Sequence, residues 1–490
     1  MATTKVKEPK IAMLDSLRSI GYDFNSALAD ILDNSISAKA KNIDIYLIER
    51  IPAVVICDDG VGMSFDELDV AMDLGSKSPN EDRDPSDLGR YGLGLKSASF
   101  SQCRNLTVTS LKDGKMSSMT WDLKKVEDEQ DWIISINDES EIESLPYINY
   151  IKDAGKGTIV MWSDFDRLKL GSDDLRSALA SYLREAGSYL ALVFHKFLAR
   201  GQIKIRIGGH ELKQMDPLLS NNKTKAQHRK PQIIAAANKK CEVFPIEIIP
   251  HILPYIKDMT EEELEKAGGR ENIRNLQGFY IYRSDRLITW GTWLRMIGVN
   301  ELYKNARIEV NIPNTLDDIW EVDVKKAKLS IPPNIRQQLV AKINEATQLS
   351  SDIPKKRIPR LSSKYQKVWK VETDRDGMSY FSINRELPVL NQLEQGLSNE
   401  QRTLLNVFIS NIEHNIPQMA LYTLVAQDKF KDDKEGKRKE TIEAVDNILK
   451  LYESASSQEK IMLLKAMFQS EPYCNYLDIY EEKLKELESR

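Results

Sequence analysis

An α+β fold in three successive parts is predicted, on three observations. Residues 10–170 mix helical and strand periodicities joined by glycine-rich turns; residues 203–345 repeat alternating apolar segments with helical insertions; residues 388–490 are highly charged and helical in pattern. A chain of 490 residues has room for about three domains. The boundaries predicted are 1–171, 172–350 and 351–490.

The elements follow in order. Leu28, Ile31, Leu32 and Ile36 recur at helical spacing, Ile43, Ile45 and Leu47 alternate as a strand, and Ala53 to Cys57 is a short apolar strand running into Asp58 and Asp59. A long helix is expected over roughly 172–198, with Ser172 as N-cap and two aspartates in its first turn. Lys204 to Ile207, Phe279 to Tyr282 and Arg307 to Ile312 read as strands of the second part, and Thr260 with Glu263 reads as a capping box. Residues 351–370 hold two prolines among many basic residues and read as a linker or exposed arm; a hairpin is expected around Asp376 and Gly377.

Composition narrows the classes. With 41% hydrophobic and 29% charged residues the chain is too apolar and too mixed to stay disordered. The longest apolar run, Tyr189 to Leu198, is short and interrupted by His195 and Lys196, so no membrane span is expected. The opening MATTKVKEPK lacks an apolar block, and a cytoplasmic location is expected. Cys57, Cys103, Cys241 and Cys474 are scattered and form no C-x-x-C pair, and the five histidines show no metal-binding spacing. Any metal should therefore be held by oxygen. The net charge of −5 gives no whole-chain case for nucleic acid.

The chemistry lies between residues 27 and 100. In ALADILDNSISA, Asp30 and Asn34 share one helix face with Asp33 beside them. An Asn oxygen suits Mg²⁺, and a carboxylate one turn earlier can orient or deprotonate a water; the same residues also fit an acidic solvated face. VVICDDGVGM ends a strand in Asp58 and then turns on Gly60 and Gly62 beside Met63. Such an Asp can accept a hydrogen bond from an exocyclic amine, and the glycines admit a flat ligand, although a tight turn alone also explains them. In LGRYGLGLKSAS, Gly89, Tyr91, Gly92, Leu93, Gly94 and Leu95 lead through Lys96 into a helix start. Free N–H groups at a helix N-terminus favour phosphate, whereas a glycine hinge is the plainer reading. No G-x-x-x-x-G-K-[ST] string is present, and the polar residues 75–88 between the two glycine turns read as a lid.

Taken together, these three motifs resemble the GHKL (Bergerat-fold) ATPase superfamily, which includes gyrase B, MutL, histidine kinases and heat-shock chaperone ATPases. The likeness is closest to prokaryotic MORC-like ATPases, through GRYGLGLKSA. The resemblance implies a Bergerat α/β sandwich, an S5-like transducer domain and a mostly α-helical C-terminal region. It implies ATP and Mg as cofactors, Asp30 as the catalytic acid, Asn34 as the metal ligand, and Asp58 as the adenine acceptor assisted by Thr158 of GKGTIVMW. It also implies a phosphate lid at Gly89, Gly92 and Gly94, and a basic residue from WEVDVKKAKLS on the γ-phosphate, Lys326 with Lys325 as rival. One departure is that the family's usual Glu is Asp here, which implies slower hydrolysis or a water or backbone shift that makes up the reach. QGFYIYRSDRLITW extends the likeness, which covers about residues 10–345.

The same resemblance implies an ATP-gated homodimeric clamp with DNA as cargo, in a bacterial restriction, repair or phage-defence setting alongside partner proteins. Basic stretches at Lys223 to Lys230 and Lys355 to Lys370, the latter with Tyr365 and Trp369, suit phosphate and base stacking, and equally suit an ordinary solvated linker. A chaperone-like ATPase acting on a protein client is the alternative, favoured by the acidic charge and the helical C-terminal region. A histidine kinase fits less well, because no His precedes residue 195.

Overall fold

The computed structural model describes residues 13–19, 22–48, 50–74, 94–169, 174–222, 226–317, 331, 333–355, 365–373, 378–426 and 434–488. The chain divides into two compact units, Met1–Ile353 and Pro354–Arg490.

The first unit opens with helices α1 (Met13–Arg18) and α2 (Phe24–Ser37), strands β1 (Asn42–Ile48) and β2 (Ala53–Asp58), and helices α3 (Phe65–Met72) and α4 (Gly94–Gln102). Strands β3 (Asn105–Lys112), β4 (Lys115–Asp122), β5 (Ser135–Ile136), β6 (Gly157–Ser163), β7 (Lys204–Ile207) and β8 (His210–Glu211) complete a sheet ordered β5-β4-β3-β6-β2-β1-β7-β8. Helix α2 starts where the Asp23 side chain accepts from the Ser26 N–H at 2.7 Å, relieving one of the unpaired donors of a helix start. Its apolar stripe, Phe24, Ala27, Leu28, Ile31 and Leu32, is buried.

Strand β2 is buried along its whole length, and its alternation explains why. Val54 and Ile56 join the core beneath α2, α4 and the Leu175–Val193 helix, while Val55 and Cys57 face the opposite core with Ile148, Ile151 and Ile159. Both faces being covered, the polar end of β2 is fixed in place. The expected long helix begins at Leu175 with Asp174, not Ser172, as its cap, accepting from the Arg176 N–H at 3.0 Å; it pauses at Phe194 and resumes at His195–Ala199. Ser172 lies outside the described residues.

Strand β7 pairs parallel with β1, so Lys204 to Ile207 lies in the first sheet and not among the strands of the second. The second sheet comprises β9 (Gln227–His228), β10 (Gln232–Ala237), β11 (Val243–Ile252), β12 (Gly278–Arg283), β13 (Arg286–Thr292) and β14 (Ala306–Ile312), in the order β10-β11-β14-β12-β13 with β9 on β11. Ile335, Leu339, Ile343 and Ala346 of the Pro333–Lys355 helix recur every three or four residues and close its core against Phe279, Ile281, Ile308 and Val310. Thr260 and Glu263 form the expected capping box.

The second unit holds the expected hairpin, Trp369–Thr373 with Ser379–Ile383, and helices from Pro388 onward around a small core of Val445, Leu464, Met467, Phe468 and Ile479. Its hairpin turn, residues 374–377, is outside the described residues. The protein is thus a mixed α+β structure with an eight-stranded sheet and a helical C-terminal region. No helix among the described residues is long and apolar enough to cross a membrane.

Candidate functional site

Asp58 ends β2 beneath the C-terminal turn of α2. Its Oδ2 accepts from the Ser35 hydroxyl at 2.8 Å and its Oδ1 from the Gly60 N–H at 2.9 Å. Burial pushes the carboxyl up to about 6, against the pull of those two hydrogen bonds. At neutral pH Asp58 is therefore an anionic acceptor held still by two donors.

Backbone close approaches make this corner possible. Asp58 faces Thr158 across the β2–β6 pairing, and Gly157 beside it has φ +128°. A Cβ on Gly157 would stand 2.1 Å from the Asp58 carbonyl oxygen, and one on Gly62, φ +69°, would stand 2.0 Å from that of Leu111. Only glycine fits either place. Ser110 ties the corner together, its hydroxyl 3.0 Å from the Gly157 carbonyl and 2.9 Å from the Thr158 hydroxyl, and it accepts from the Met63 N–H at 2.8 Å. Thr158 is buried, and Met63 is half-buried against the core.

Asp30 lies on α2 and is buried with Asp33, while Asn34 on the next turn is exposed. Tyr22 donates its hydroxyl to Asp30 Oδ2 at 2.8 Å, and Arg286 of β13 donates to Oδ1 at 3.3 Å. Arg286 also pairs with Asp33, Nε to Oδ1 2.8 Å. Burial, then the Asp30 charge, pushes the Tyr22 phenol well above its ordinary range, so it stays a neutral donor. Burial pulls Arg286 down, but Asp33 and Asp30 outweigh it and raise it above the ordinary guanidinium value.

Helix α4 begins at Gly94, where an added Cβ would stand 3.9 Å from Asp30 Oδ2. The glycine-turn exit and the carboxylate on α2 are thus neighbours. Leu95 packs against the core, and the Lys96 amine is buried and donates to the Ala71 carbonyl at 2.8 Å. Burial pulls Lys96 down to about 8. Its amine is directed to the end of α3. Gly89, Tyr91, Gly92, Leu93, Lys325 and Lys326 lie outside the described residues.

The structure therefore sets Asp30, midway along α2, beside Gly94 at the start of α4, and gathers Asp58, Gly60, Gly62, Met63 and Thr158 beneath the C-terminal turn of α2, where Asn34 is exposed. Sequence reasoning missed Tyr22, Ser35, Ser110 and Arg286. Ser35 was legible, one residue past Asn34 within the same motif. Arg286 lies 256 residues from Asp30 and gave no local signal. Among the described residues, no group of three or more His, Cys, Asp or Glu is placed to hold a metal ion.

Comparison with known proteins gives a family for the region that holds these residues. Residues 22–158 match the family described as histidine kinase-, DNA gyrase B-, and HSP90-like ATPase. The chain is 33% identical over 96 residues to ATPase morc-1 of Caenorhabditis elegans, covering 19% of this chain and 11% of that protein. It is 34% identical over 98 residues to ATPase MORC2B of Mus musculus, covering 19% and 10%. The alignments thus span about a tenth of the length of these relatives. The matched region contains both ends of α2, β2 with Asp58, and Gly94. Over residues 22–158 this protein matches the GHKL ATPase domain family, and about a fifth of the chain, 19%, is similar to parts of the MORC ATPases.

Proposed function

We propose that the protein binds and hydrolyses Mg-ATP, and that ATP closes two copies of it into a clamp on DNA in a restriction, repair or phage-defence setting. The observation that carries the nucleotide reading is the Asp58 corner: a buried carboxylate anchored by Ser35 and Gly60, beside backbone that only glycine can supply. Its anionic oxygens suit the exocyclic amine of adenine, and Gly60, Gly62, Met63 and Thr158 would line that purine.

Farther back along α2, Asp30 would accept the proton of, or align, the attacking water. Asn34 brings a neutral oxygen donor to the exposed side of the same helix. Magnesium fits such sparse side-chain ligation because it binds through one or two protein oxygens together with phosphates and water; when bound, it neutralises charge on the phosphate oxygens. The α4 N-terminus at Gly94, beside Asp30, would offer N–H groups to a phosphate. Gly89, Tyr91, Gly92, Leu93 and Lys96 would complete the phosphate lid, with Lys326 or Lys325 reaching it from the second part of the chain. Lys96 would do so by leaving the Ala71 carbonyl.

The clamp follows from the logic of an ATP-ordered lid, a segment ordered in one nucleotide state and released in the other. A protein client is the second reading, and a specific observation favours it: Leu404, Val407, Phe408 and Met419 are more than half exposed on adjacent helices of the second unit. Light scattering of the full chain, with and without a non-hydrolysable ATP analogue and duplex DNA, separates the cases. The proposal expects a dimer with analogue alone and a DNA-bound dimer with both, weakened by salt. A monomer under all conditions contradicts the clamp; a dimer indifferent to DNA favours the protein client.

A further inference from the structure

The β12–β13 hairpin turns on Ser284 and Asp285, both at positive φ of 46° and 68°, which is the geometry of a tight two-residue hairpin turn. Three charged residues within these four positions leave the turn for three different elements. Arg283 grips Asp317 with two hydrogen bonds, 2.7 and 2.6 Å, at the entry to residues 318–330. Asp285 pairs with Lys196 at 3.7 Å and with Arg200, both on the His195–Ala199 helix and its cap. Arg286 reaches Asp30 and Asp33 on α2.

Arg286 is 3% exposed, and it reaches from the second sheet to α2. A guanidinium buried this deeply is costly unless it is paired, and a planar fork between two carboxylates fixes their directions as well as their charge. Asp30 is consequently held from two sides, by Arg286 on Oδ1 and by Tyr22 on Oδ2. Tyr22 is itself in contact with Ser97 of α4, and Tyr189 of the Leu175–Val193 helix stands near the same charges. An Asp has one methylene less than a Glu and reaches less far, and the two partners fix where the Asp30 carboxylate points.

We propose that Arg286 and Tyr22 are positioning residues for Asp30, and that the Arg283–Arg286 turn thereby couples the placement of the second sheet to the hydrolytic carboxylate. The proposal rests on the reading of Asp30 as the residue that activates water. A positioning role costs turnover and leaves nucleotide affinity alone, and a displaced carboxylate loses on the order of 10- to 100-fold in kcat.

The test compares Arg286→Gln, Arg286→Lys, Tyr22→Phe and Asp30→Asn in the full chain. Steady-state phosphate release gives kcat, calorimetric titration with a non-hydrolysable ATP analogue gives Kd, and thermal melting reports folding. The expected result is a kcat loss of about tenfold or more in Tyr22→Phe and Arg286→Gln, partial recovery in Arg286→Lys, and Kd within about twofold of the parent throughout. If Arg286→Gln fails to fold, Tyr22→Phe and the Lys variant carry the same comparison. Unchanged or raised kcat in folded Tyr22→Phe and Arg286→Lys overturns the proposal, as does a loss of affinity that matches the loss of kcat. Parental turnover in Asp30→Asn would instead overturn the reading beneath it, a result distinct from either.

Discussion

Replacing Asp58 by Asn separates the cost of the site from its use. The Asp58 carboxyl rises from 3.8 to about 6 because burial outweighs its hydrogen bonds. Each pH unit of that rise is worth 1.36 kcal/mol, so the folded state carries roughly 3 kcal/mol of charge burial at neutral pH. The sign follows from the direction. An acid raised in the folded state is neutral in both states below about pH 4, and it costs stability progressively as the pH climbs to about 6 and beyond. Asn keeps the shape and one acceptor for the Gly60 N–H, and the Ser35 hydroxyl can rotate to accept from its amide. Part of the gain is returned because hydrogen bonds to a charged acceptor are stronger than those to a neutral one.

Asp58→Asn should therefore melt at or above the parent temperature at pH 8, with the advantage shrinking toward pH 4.5. Thermal denaturation of the nucleotide-free protein across that range measures it. A variant less stable by the same margin at both ends would refute the reasoning, because the penalty would then not be that of a buried charge.

Four further outcomes follow. Gly157→Ala and Gly62→Ala force a Cβ against backbone oxygens and should each destabilise by roughly 1–3 kcal/mol or more in chemical denaturation, whereas Gly155→Ala, at φ +71° with no atom near its Cβ, should pay only the conformational strain. Leu28→Ala, beneath the polar face of α2, should cost about 2–5 kcal/mol in the same assay. Asp30→Glu restores the longer carboxylate and should speed phosphate release if reach limits the rate; a slower variant would show that the pairing with Arg286 and Tyr22 matters more than length. Of Lys325→Ala and Lys326→Ala, the second should lose turnover and ATP-dependent dimerisation, and the reverse pattern would move the contact by one strand position.

Much of the first unit was legible because its signals are local. The α2 stripe, the apolar run of β2 and the turn after Asp58 each sit within a few residues, and each formed the element expected. The Asp58 side of the site was readable for the same reason, since Asp58, Gly60 and Gly62 are contiguous. Pairings between distant segments were not. Lys204 to Ile207 has the pattern of any strand, and only the exposed edge of β1 decides that it joins the first sheet. In the sequence Arg286 is one cation within QGFYIYRSDRLITW, and its pairing appears only in the fold, where it meets Asp33 of α2. Lys96 was assigned to phosphate by its place in a glycine string, while in the structure the end of α3 supplies a carbonyl within its reach.

The most direct measurement is a calorimetric titration of the full chain with a non-hydrolysable ATP analogue and magnesium, run beside Asp58→Ala with melting curves for both. The account predicts saturable binding at one nucleotide per chain in the parent and none in a folded Asp58→Ala. Equal affinity in the two proteins would contradict it.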